Sequence, residues 1–149
     1  MKKAVVTGGS GYFGTLLCNQ LIDQGWYVKN IDINPPDSFH NNYEFVQGDI
    51  RDLSKIEDSF NGVDTIFHNV ALVPITKSND YEATNFLGTK NTVDLAIKKK
   101  VKSFVYTSSS AVFGVPKKNP VSEHDLPNPA ESYGKSKLDA EFLLSTYSK

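Results

Sequence analysis

The chain has 149 residues, a formal net charge of −1, 39% apolar residues and 22% charged ones. That size fits one domain with a real core, and so even a charge balance gives no strongly basic surface for nucleic acid or an anionic membrane. The lone cysteine, Cys18, excludes an internal disulfide and a cysteine-built metal cluster; with no apolar leader and no membrane-length apolar run, the expectation is a cytoplasmic chain without a metal site.

Met1-Lys2-Lys3 leads into the apolar run Ala4-Val5-Val6, the core of a first predicted strand over residues 4–7. Thr7-Gly8-Gly9-Ser10-Gly11-Tyr12-Phe13-Gly14 follows at once and opens a predicted helix over 11–24. Phe13, Leu16, Leu17 and Leu21 form its apolar stripe, Cys18 is a small core residue, and Gly25 ends it. Strand, glycine turn and helix in that order let backbone N–H groups and a helix N-terminus meet a pyrophosphate. Gly9, Gly11 and Gly14 satisfy G-x-G-x-x-G, and Gly8, Gly11 and Gly14 satisfy the wider spacing. A second strand over 27–32 closes on Asp32, eighteen residues after Gly14, where a carboxylate accepts hydrogen bonds from the adenosine ribose. Such a carboxylate repels a 2′-phosphate and no arginine stands by to receive one, so the expected cofactor is NAD rather than NADP.

A loop over 34–42 leads to a third strand, 43–47, then to Gly48-Asp49-Ile50-Arg51-Asp52 and a short helix over 53–60 that stops at Asn61-Gly62. The fourth strand, 65–69, carries His68, read as structural. A long helix over 79–100 has Phe86, Val93 and Ile97 on one side, and Lys98-Lys99-Lys100 complement its C-terminus. After a fifth strand, 103–108, a loop over 114–129 holds Pro116, Pro120, Pro127 and Pro129 and is expected to be extended and ordered only in part. A last helix covers 131–147. Short β-branched strands without strict alternation, each followed by a helix, predict an α/β fold with a doubly wound parallel sheet.

Tyr133 and Lys137 stand at i and i+4 of the last helix and so share a face. A phenol, with an ordinary pKa of about 10, is a poor base at neutral pH, and a neighbouring ammonium favours its ionised form. In that setting Tyr133 can take a proton from a substrate hydroxyl.

The glycine loop, the 48–52 stretch, Asn85-Phe86-Leu87-Gly88-Thr89 and the Tyr133/Lys137 pair together resemble the extended short-chain dehydrogenase/reductases, more narrowly the NAD-dependent epimerases and dehydratases that act on nucleotide sugars. The resemblance covers essentially the whole chain. It implies a Rossmann-like cofactor site built from Gly8, Gly11, Tyr12, Phe13, Gly14, Asp32, Asp49, Ile50, Val70, Ala71, Asn85, Tyr133 and Lys137. Asp49 and Ile50 would bracket the adenine, Val70 and Ala71 would line the nicotinamide ribose side, and Asn85 would steady the active-site region. Val70 departs from the small residues usual at its position. Counting back from Gly114, Ser109 matches the catalytic hydroxyl, with Ser108 its neighbour, and the catalytic trio would be Ser109, Tyr133 and Lys137. Dehydratases of the family place an acidic pair after the hydroxyl; here Ser110 and Ala111 stand there, which favours an epimerase or a simple dehydrogenase. The same resemblance implies a nucleotide-sugar substrate, a further C-terminal part that would grip it, and a homodimer through the helices 79–100 and 131–147. A carbonyl reductase of the same superfamily and a non-catalytic dinucleotide-sensing module are the competing readings.

Overall fold

The computed structural model describes residues 1–38, 40–75 and 80–147. The chain divides into two compact units, Met1–Ala71 with Asn91–Thr107, and Leu72–Lys90 with Ser108–Lys149.

The first unit is a five-stranded parallel sheet: β1 (Lys3–Thr7), β2 (Tyr27–Asp32), β3 (Tyr43–Gln47), β4 (Thr65–His68) and β5 (Ser103–Tyr106), in the order β3-β2-β1-β4-β5. The order reverses direction at β1, and register aligns Thr7 with Ile31 on one side and His68 on the other. Both faces of β1 are covered, which is why it reads as a continuous apolar run. On one face Ala4, Val6 and Val28 pack against Cys18 and Leu21 of helix α1 (Tyr12–Asp23). On the other, Val5, Ile31 and Ile66 pack with Phe60, Ile56 and with Leu95 and Ala96 of helix α2 (Gly88–Lys98).

Several boundaries depart from expectation. The predicted fourth and fifth strands each end early. Just beyond His68 and Tyr106, Asn69 N still donates to Thr7 O and Thr107 N to His68 O, and the Thr107 hydroxyl donates a very short hydrogen bond to the Asn69 side-chain oxygen. The segment 53–60 is not one helix but two 3₁₀ turns, Leu53–Lys55 and Glu57–Phe60, the first capped by the Asp52 carboxylate accepting from Ser54 N. Eight residues nucleate an α-helix poorly, and burial of Ile56 and Phe60 selects the tighter turns. Helix α2 stops at Lys98, two residues short of the predicted end. Val101 N donates to Ala96 O, Lys100 N donates to Ile97 O, and Lys100 takes φ 58°. This is the Schellman closure, built here without the usual glycine. Lys98 and Lys99 meet the Glu57 carboxylate at 2.8 and 3.3 Å.

In the second unit the predicted long helix begins as a π-helical turn, Glu82–Leu87, that runs into α2; residue 79 lies outside the described residues. A 3₁₀ turn, Ser110–Phe113, and helix α3 (Ser132–Ser145) complete the unit. The Glu131 carboxylate caps α3 by accepting from Tyr133 N at 2.9 Å and Gly134 N at 2.8 Å. The proline-rich loop holds a turn of its own, with Ser122 N donating to Asp125 Oδ2 at 2.8 Å and Lys118 paired to Asp125 at 2.9 Å. Among the described residues no helix is long and apolar enough to cross a membrane.

Candidate active site

The expected site residues fall in both units. Gly8, Gly11, Tyr12, Phe13, Gly14, Asp32, Asp49, Ile50, Val70 and Ala71 belong to the first; Asn85, Ser109, Tyr133 and Lys137 belong to the second.

In the first unit the glycine turn leaves β1 and enters α1 with almost no spare room on its inner side. Gly8 takes φ 72°, and a Cβ there would lie 2.8 Å from the Val70 backbone. A Cβ on Gly14 would lie 2.1 Å from the Gly8 carbonyl oxygen, so α1 can pack this close only as glycine. A Cβ at Gly11 would meet nothing nearer than 3.4 Å, which leaves the mouth of the turn open. Gly11 gives α1 no side-chain cap and the first turn holds no acid, so the first N–H groups of the helix are offered outward with its positive dipole end. Tyr12 and Phe13 stand exposed at that helix start.

Asp32 closes β2 beside the turn. Its Oδ2 accepts from Ser10 N at 3.1 Å and its Oδ1 from Asn34 N at 3.0 Å, which orients the carboxylate while each oxygen keeps a further lone pair. No sequence pattern marks Ser10, yet it fastens the turn: its hydroxyl donates to Asn34 O at 2.8 Å and accepts from Asn30 Nδ2 at 2.9 Å. A diphosphate at the helix mouth and a ribose diol at the carboxylate both suit this donor and acceptor set.

At the outer ends of β2 and β3, Ile33, Gln47, Gly48, Asp49, Asp52 and Lys55 line a cavity of 360 Å³. The Asp49 carboxylate there is gripped by Arg51, whose Nε donates at 3.0 Å and whose Nη2 donates at 2.5 Å; the hydrogen bonds from Arg51 hold Asp49 below the usual carboxylate range. The Ile50 side chain lies in the core, so only its backbone can serve a ligand. His68 is fully buried, bonded through Nδ1 to the Thr7 hydroxyl at 2.9 Å and stacked near Tyr106, in keeping with a structural role.

In the second unit α3 carries Tyr133 and Lys137 on one face. Lys137 is 2% exposed, and burial pulls its ammonium down to about 8, with the Glu141 charge opposing the shift. Asn85 is buried and tied three ways: Nδ2 donates to Leu72 O at 3.0 Å and to Ser136 Oγ at 3.0 Å, while Oδ1 accepts from Leu72 N at 2.7 Å. Ser136 in turn donates to Tyr133 O at 2.7 Å, so the π-helical turn, the Leu72 segment and the first turn of α3 form one network. Tyr81 packs edge-on to the Tyr133 ring. Ser109 Oγ accepts from Ala111 N at 3.2 Å, capping the 3₁₀ turn, and its hydroxyl proton remains available to donate. Ser136 and Glu141 escaped the sequence reading, although both sit within a turn of Lys137 on the same helix. The deciding signal is their bonding to distant segments.

The model of the NAD dependent epimerase/dehydratase family matches residues 4–149. The chain belongs to that family. It is 51% identical over 144 residues to an uncharacterized protein, y4nG, of Sinorhizobium fredii, with 96% of this chain and 36% of the relative covered. It is 31% identical over 154 residues to a putative UDP-glucose 4-epimerase of Methanocaldococcus jannaschii, covering 97% of this chain and 50% of that protein. The solved structure of MoeE5 in complex with UDP-glucuronic acid and NAD superposes with a TM-score of 0.89 at 30% identity, over 98% of this chain and 49% of the other. The chain thus spans between about a third and a half of the length of these relatives.

Proposed function

We propose that this chain is the cofactor-binding and catalytic portion of an NAD-dependent nucleotide-sugar epimerase. One observation carries the catalytic reading: a lysine 2% exposed, one turn after a tyrosine on α3. Burying an ammonium is costly, and a fold that does so without a chemical use for it is uncommon. Family membership and an NAD-bound structural neighbour support the cofactor.

In this reading the N–H groups of the glycine turn and of α1 hold the diphosphate, and Asp32 accepts from the ribose hydroxyls. The Asp49 and Ile50 stretch serves the adenine, with Val70 and Ala71 toward the nicotinamide ribose. When bound, NAD supplies the hydride acceptor. Tyr133 takes the proton of the sugar hydroxyl, Ser109 donates a hydrogen bond to the same oxygen, and Lys137 provides the positive charge that favours the phenolate. Ser110 and Ala111 can neither donate nor accept a proton as a carboxyl pair would, which sets elimination aside in favour of epimerisation.

Appearance of reduced nicotinamide after mixing the chain with NAD and a UDP-sugar tests this. The expected outcome is slow transfer that falls at least about 100-fold in Tyr133→Phe. Equal rates in the two proteins would contradict the assigned base.

A dimer through the helices 79–100 and 131–147 belongs to the same proposal. Its support in the second unit is a 770 Å³ groove on Tyr81, Phe86, Phe142 and Leu143, with Phe142 59% exposed. Light scattering should report a dimer that Phe142→Asp dissociates; a wild-type monomer at high concentration would count against it.

A further inference from the structure

The face of α3 that carries Tyr133 and Lys137 continues one turn further to Glu141. Glu141 Oε1 accepts a very short hydrogen bond from the hydroxyl of Ser108, the residue before Ser109. One carboxylate therefore stands one turn from Lys137 on the same helix face and holds the serine segment that precedes the 3₁₀ turn. The surrounding titratable groups are sparse. The 3₁₀ turn Ser110–Phe113 has none, and the π-helical turn packed on α3 brings Glu82. Tyr133, Lys135 and Asp139 are the remaining ones near it on α3. Of these, Glu141 supplies the charge that acts on Lys137.

We propose that Glu141 is a positioning residue: it anchors Ser108, and through it the Ser109 hydroxyl, and it stands as the anion one turn from Lys137 on the same face of α3. The inference rests on reading Lys137 as the partner of the Tyr133 phenol. Burial alone drives a lysine toward neutrality. A neutral Lys137 could not favour a phenolate, so a fold that buries this amine needs an anion at its side. Serine without an acceptor would also leave the start of the Ser109 turn less defined.

The test is titration of Lys137 in the 149-residue chain, followed by NMR with side-chain-labelled lysine and without cofactor or substrate. Glu141→Gln should move the midpoint down by about 1 unit, whereas Ser108→Ala, which leaves the carboxylate in place, should move it much less. Glu141→Asp, which keeps the charge but shortens the reach to Ser108, should give an intermediate midpoint and serves if the glutamine variant does not fold. An unchanged Lys137 midpoint in a folded Glu141 variant overturns the proposal. Because no turnover is measured, this result is separate from the fate of Tyr133→Phe: equal rates there would remove the catalytic reading and leave the Lys137 titration result standing.

Discussion

Lys137 gives the clearest link between a single side chain and its energetic consequence. Its folded value of about 8 lies below the ordinary lysine value of 10.5, so between those two pH values the unfolded chain binds more protons than the folded one. Stability therefore rises with pH across that window, and the penalty is fully present below it. At 1.36 kcal/mol per unit the cost at neutral pH is about 3 kcal/mol. Lys137→Met, which keeps the apolar stem and removes the charge, should raise unfolding free energy by about 2–3 kcal/mol at pH 7 and by far less near pH 10.5. Urea melts at the two pH values check it. A variant no more stable than wild type at pH 7 would mean that the site already compensates the ammonium.

At the scale of elements, α2 shows strain that an ordinary substitution should relieve. Lys100 is exposed and sits at φ 58°, in the left-handed region that closes the Schellman motif. A side chain there costs about 1 kcal/mol that glycine does not, so Lys100→Gly should raise the thermal midpoint, as differential scanning calorimetry would show. A lowered midpoint would mean that loss of charge near the helix end outweighs the backbone gain.

The same helix marks the boundary of what sequence reasoning can reach. Strands β2 and β3 match expectation because each gathers valine, isoleucine or aromatic residues between turn-forming stretches. The glycine turn and the Tyr133/Lys137 pair were legible for a similar reason, since each is local. The π-helical turn at Glu82–Leu87 was not, since it carries Asn85, whose side chain bonds the distant Leu72 and Ser136. Nor were the grip of Arg51 on Asp49, which occupies the carboxylate expected at the adenine, or the Ser108–Glu141 bond. A side chain's partner across 33 positions leaves no periodicity to read.

For the whole molecule, the central proposal is that the turn from Gly8 to Gly14 and the Asp32 carboxylate select NAD. The carboxylate is held by two backbone N–H groups beside the turn, and the chain's one arginine is already committed to Asp49. A 2′-phosphate would therefore meet the negative charge of Asp32, with the arginine held at Asp49. The most direct measurement is calorimetric titration of the chain with NAD and, separately, NADP, repeated on Asp32→Asn. NAD is expected to bind at least about 10-fold tighter than NADP, with a preference that shrinks or vanishes in Asp32→Asn as about 1.4 kcal/mol of discrimination is lost. Equal affinities for the two dinucleotides in the wild-type chain, or a preference untouched by Asp32→Asn, would contradict it.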